Sequence, residues 1–117
     1  MTAADRIPVI VGVGETRGPG PSAPDHTPRE PRDLIADALR VAEQDSGAAP
    51  WLHTLDSVAV CHVASWAYDD LPGLLATEVG ATPTDTFASP IGGQWPTRLL
   101  DRAGIGFEGN TMAEAVA

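Results

Sequence analysis

Hydrophobic positions along this chain group into short β-branched runs and longer stretches with helical spacing. Residues 7–13 (Ile-Pro-Val-Ile-Val-Gly-Val) form a nearly continuous apolar run, which predicts a strand buried on both faces of a parallel sheet, with Pro8 at its beginning. Leu34, Ile35, Ala38, Leu39, Val41 and Ala42 recur at spacings of three and four. They predict an amphipathic helix over residues 31–46, opened by Pro31, with Asp33 in its first turn and Gly47 after its end. Residues 55–63 (Leu-Asp-Ser-Val-Ala-Val-Cys-His-Val) read as a second strand. A short helix over 71–79 follows, with Leu71, Leu74, Leu75 and Val79 on its buried side, Asp69-Asp70 at its N-terminus and Gly80 at its end. Thr86 and Phe87 begin a third strand, and Pro90, Gly92 and Gly93 form a tight loop after it. Pro96, Leu99 and Leu100 open a third helix, which Gly104, Gly106 and Gly109 are expected to break early. The order is βαβαβα, which argues for a parallel sheet covered by helices with sites at the carboxyl ends of its strands.

Between the first two elements, residues 17–30 are dense in Gly and Pro and predict a flexible loop carrying a solvated His26. With 117 residues the chain holds at most one small domain. Its formal charge of −9, with arginine as the sole cationic residue type, argues against nucleic-acid binding, because phosphate contacts supply most of that affinity. No apolar run approaches the roughly 18 residues that a membrane span needs. The first residues lack the basic-then-apolar order of a signal peptide, so a cytoplasmic location is expected.

Candidate chemistry is sparse. Gly12-Val13-Gly14 has the start of a dinucleotide-binding turn, but the distance to Gly18 is wrong and no helix follows at once, so a strand end packed closely is favoured. Cys61 and His62 are neighbours on a predicted strand and would point to opposite faces. With His53 they complete no zinc spacing. The stretch 85–102 is the more suggestive one. A strand that turns through glycines into a helix N-terminus lets backbone approach a ligand closely and offers free N–H groups to an anion.

Taken together, Arg6-Ile-Pro-Val-Ile-Val-Gly-Val-Gly-Glu-Thr, the Ala-rich first helix, Leu55-Asp-Ser-Val-Ala-Val and Gly92-Gly-Gln-Trp-Pro resemble the N-terminal part of thiolase-superfamily proteins. The nearest branch is acetyl-CoA acetyltransferase-like or sterol-carrier-protein-thiolase-like. The resemblance implies a three-layer α/β fragment, incomplete relative to the family, over residues 1–103, with 104–117 as a divergent tail. It also implies acyltransferase chemistry in lipid metabolism on a coenzyme A thioester, which is the substrate group expected here, with no cofactor beyond it. In the family a cysteine stands at the turn from the third strand into the third helix, and the matching position here is Gly92. Ser89 lies too early in the loop, and Cys61 is on another strand. The family's remaining catalytic groups come from a C-terminal half with no counterpart in this sequence. A chain that is not catalytic alone, a pseudo-enzyme, is therefore expected, with Gly92, Gly93 and Gln94 as a backbone substrate-binding loop. The N–H groups of Gly92 and Gly93 could hold a thioester oxygen or a carboxylate. The alternative is a partner subunit that docks on itself or on another thiolase-like or acyl-CoA-binding chain, since open strand edges and uncovered apolar faces favour docking.

Overall fold

A computed structural model describes residues 9–17, 29–109 and 114–116, with side chains left undescribed over 104–115. Its elements are the helix α1 (Pro31–Asp45), a single 3-10 turn (Leu52–Thr54), strand β1 (Ser57–Val60), helix α2 (Leu71–Glu78), strand β2 (Asp85–Ala88), helix α3 (Trp95–Gly109) and strand β3 (Glu114–Val116). The sheet order is β2-β1-β3 and both pairings are parallel. An α/β architecture with a mostly parallel sheet is what the sequence pattern leads one to expect.

Helix boundaries follow local chemistry. Pro31 occupies the first turn of α1, where a missing N–H costs nothing. The Arg32 N–H, an orphan donor at that end, instead reaches the Tyr68 hydroxyl at 3.0 Å, which itself donates to the Glu30 carboxylate at 2.9 Å. Asp70 caps α2 by accepting the Gly73 N–H. Both helices end on a glycine with positive φ, Gly47 at 73° and Gly80 at 75°. After α2 the Gly80 N–H donates to the Thr77 carbonyl and the Ala81 N–H to the Ala76 carbonyl, the paired closure of a Schellman ending.

Strand alternation places the layers. Val58 and Val60 join a core with Leu71, Leu75, Ala76 and Ala81 from α2 and the residues after it, together with Ala36 and Leu39 from α1. Ser57 and Ala59 point to the opposite face, as do their register partners Asp85 and Phe87. On that face α3 is pinned to β2. The Phe87 and Trp95 rings meet at 5.9 Å, the Arg102 guanidinium lies 4.4 Å over Phe87, and Arg102 also pairs with Asp85 at 3.1 Å. Helices thus cover both faces of the sheet.

Four expectations are corrected. Residues 9–13 make no strand pairing among the described residues, and Val9, Ile10, Val11 and Val13 are exposed. The predicted second strand is shorter than 55–63, because the 3-10 turn precedes it and the chain leaves the sheet at Val60. Leu74 and Val41 face outward rather than inward, while Ala36, Pro72 and Ala76 are buried. Helix α3 continues through Gly104, Gly106 and Gly109, which were expected to break it early, and Glu114–Val116 in the tail forms β3. A glycine weakens a helix by about 1 kcal/mol but still donates its N–H, so tertiary contacts can carry the helix past it. Of the predicted loop over residues 17–30, residues 18–28, His26 included, lie outside the described residues.

Candidate functional site

At the carboxyl ends of β1 and β2 the chain opens a cleft of about 290 Å³. This is the edge where open parallel sheets bind ligands, since strand ends and loops diverge there. The lining runs from Val60 through Cys61, His62 and Val63 to Trp66, Tyr68, Asp69 and Leu71, with Ala88 from β2. Trp66 and Tyr68 stack at 6.4 Å to form an aromatic wall. Burial, followed by the adjacent Glu30 carboxylate, pushes the Tyr68 hydroxyl above its ordinary value.

Cys61 is half-buried in this cleft, and burial pushes its thiol up. A raised thiol holds little thiolate near neutrality, which makes it a weak nucleophile. His62 is exposed and lines the same cleft, so the two residues share one opening. Opposed strand faces do not separate them, because the strand has already ended at Val60.

Ser89, immediately after β2, is buried at 5% exposure. Its oxygen accepts the His62 N–H at 3.0 Å and its hydroxyl donates to the Pro90 carbonyl at 2.9 Å. The Ser89 N–H continues the sheet by donating to the Val60 carbonyl at 2.9 Å. This residue is a clasp between the two strand ends, with its proton already committed.

The loop Gly92-Gly93-Gln94 leads from that clasp into α3. The Trp95 N–H donates to the Gly92 carbonyl and the Arg98 N–H to the Gln94 carbonyl, which closes the first turns of the helix. Neither the Gly92 nor the Gly93 N–H donates to another described group. Gly92 is half-buried, while Gly93 and Gln94 are exposed. Neither glycine has a positive φ. The nearest atoms that a Cβ at Gly92 would meet belong to the flexible Gln94 side chain, and one at Gly93 would meet nothing within 4 Å. The three residues follow the carboxyl end of β2 but do not line the cleft, which draws on the loop after β1 instead. The sequence signal for that loop was available, because the strand-end rule applies to β1 as much as to β2.

The lining includes one carboxylate, Asp69, and no arginine. Nearby, Arg98 lies over Trp95, and Arg102 over Phe87. A phosphate would find no arginine or lysine inside the cleft, whose walls are largely apolar and aromatic. Among the described residues no group of His, Cys, Asp and Glu could hold a metal ion, and no helix is long and apolar enough to cross a membrane. At residues 12–14, Gly12 and Gly14 press against the Ala42 and Ala38 carbonyls of α1, the close-packing role rather than a nucleotide turn.

No family model matches the sequence, and no curated protein does. A solved structure is similar: a monomeric SCP2-thiolase-like protein type 1 from Mycobacterium smegmatis, at 28% identity and a TM-score of 0.71. The match covers 92% of this chain and 22% of that one, so this chain spans about a fifth of that protein's length.

Proposed function

From the premise that the chain has a thiolase-like fold on the SCP2-thiolase side, we propose that it is a non-catalytic module related to acyl-CoA acyltransferases, which supplies one wall of an acyl-thioester site. The observation that carries this reading is the turn from β2 into α3. Glycine stands at position 92, where the resemblance puts the acyl-accepting sulfur, and glycine cannot be acylated. The neighbouring hydroxyl of Ser89 is tied to Pro90, and the one cysteine, Cys61, has its thiol pushed up by burial. The chain therefore offers a thioester the apolar walls of the cleft and, outside its lining, the Gly92 and Gly93 N–H groups, without an activated nucleophile.

Intact-mass spectrometry of the purified chain after incubation with acetyl-CoA and a longer acyl-CoA tests this. The expected result is no acyl adduct and no turnover by the chain alone. An acyl group on Cys61, or turnover that survives Gly92→Ala, would overturn it.

A second reading, that the module docks on itself or on another thiolase-like chain, is favoured by the exposure of Ile91 and Leu100 beside the loop and of residues 9–11 and 13. Size-exclusion chromatography with light scattering measures it. A mass above the monomer, or co-elution with a thiolase-like chain, is expected, and a monomer that ignores such chains counts against docking.

A further inference from the structure

Residues 9–13 have the composition of a buried strand and the surroundings of a surface segment. Val9, Ile10, Val11 and Val13 are 60–73% exposed and take part in no strand pairing among the described residues. Yet the segment is held in a definite direction. The Val13 N–H donates to Asp45 at 3.0 Å, and the Thr16 hydroxyl donates to the Leu34 carbonyl at 2.6 Å. Between these bonds Gly12 packs on Ala42 and Gly14 on Ala38. Positions rise along the segment while they fall along α1, so the two run antiparallel. An extended segment antiparallel to the helix that follows it, with a strand after that helix, is a crossover unit lacking its pairing step.

The edge where that pairing would occur is occupied. One side of β1 is taken by β2 over four register positions. The other is taken by Glu114–Val116 over three, a segment from the far end of the chain. By sequence the tail offers Glu-Ala-Val, whereas residues 9–13 offer Val-Ile-Val-Gly-Val, richer in β-branched side chains suited to a buried sheet.

We propose that residues 9–13 and Glu114–Val116 are alternative occupants of the same edge of β1, so that the tail is a displaceable strand. In one arrangement the tail pairs with β1 and the amino-terminal run lies exposed along α1. In the other the run completes the crossover unit, burying its apolar side chains, and the tail is released. The exchange uses neither the cleft nor the glycine loop and stands independently of the acyl-thioester reading.

Hydrogen exchange followed by mass spectrometry on two variants tests it. Deleting residues 110–117 frees the edge, and Ala59→Cys with Val116→Cys in a Cys61→Ser background locks the tail onto its register partner. Exchange at residues 9–13 is expected to slow by about tenfold or more in the tail-less chain relative to the locked chain, as ladder bonds form. Equal exchange in the two would overturn the proposal. Should the tail-less chain unfold, Ala115→Pro in the full chain, which removes an N–H from the tail strand, is judged by the same comparison with the locked chain.

Discussion

Two regions of this small protein are built from similar elements and held by different physics. The first joins α1, the 3-10 turn, β1 and α2, and its side chains converge: Leu75 and Ala36 are fully buried and Val58 and Val60 nearly so. The second joins β2, the glycine loop and the start of α3. There β2 is largely exposed and Ile91 is 74% exposed; α3 buries Leu99 fully, and beside it stand the Arg102–Asp85 ion pair, the tilted Phe87–Trp95 ring pair and Arg102 over Phe87. Removal of apolar surface from water stabilises the first region. In the second, burial of Leu99 is joined by contacts that water and salt screen. The difference explains how a chain with so small a core can still present a shaped edge at its strand ends.

The sharpest contrast is between Leu75→Ala and Ile91→Ala. The first should cost about 3 kcal/mol in urea unfolding, as a cavity opens under α2. The second should stay within about 0.5 kcal/mol. Equal losses would erase the distinction between the regions.

Next is Glu43, whose carboxylate accepts the N–H groups of Trp51 at 2.6 Å and Leu52 at 2.7 Å and so closes the chain between α1 and β1. Those bonds, that of Leu52 foremost, hold the carboxyl below its ordinary value. Glu43→Ala should cost about 2 kcal/mol at neutral pH, because two donors lose a charged acceptor. Since the folded value lies below the unfolded one, this contribution is complete above the ordinary carboxylate range and fades as pH falls through the folded value. Unfolding measured from pH 7 to pH 3 should show wild type and Glu43→Gln converging toward the acid end.

A smaller effect is expected at the α2 cap, where Asp70→Ala should cost about 1 kcal/mol by thermal unfolding. In the second region Arg102→Gln should cost about 0.5–1 kcal/mol, and less in 1 M salt, because its partners are partly exposed. Gly92→Ala should be smallest, within about 0.5 kcal/mol, since no positive φ is relieved and the nearest atoms belong to the flexible Gln94 side chain. A large loss there would mean that the loop is as tightly packed as the core.

Much of the candidate site was hard to read before the fold was known. The glycine loop and the lack of a usable nucleophile within it are visible in the residues themselves. That Ser89 is a clasp is not, because its partners His62 and Pro90 meet it only through the pairing of β1 with β2. The cleft itself depends on Trp66, Tyr68 and Asp69 folding back over the end of β1, where Tyr68 is anchored to α1 through Arg32 and Glu30. No local pattern encodes a bond between residues 36 or 38 positions apart.

By itself the sequence determined the helices α1 and α2 with their ends, the existence of β1 and β2, and the absence of a thiol in the turn from β2 into α3. Each of these rests on neighbours within a turn or two: a proline at a helix start, an aspartate cap, glycines that accept positive φ, apolar residues at helical or strand spacing. Only the tertiary structure decided which segment lies beside β1, how far α3 runs past its glycines, and which residues line the cleft. Those outcomes turn on competition between distant segments for one edge or one face, and a β-branched run looks the same in sequence whether it wins that edge or lies along a helix.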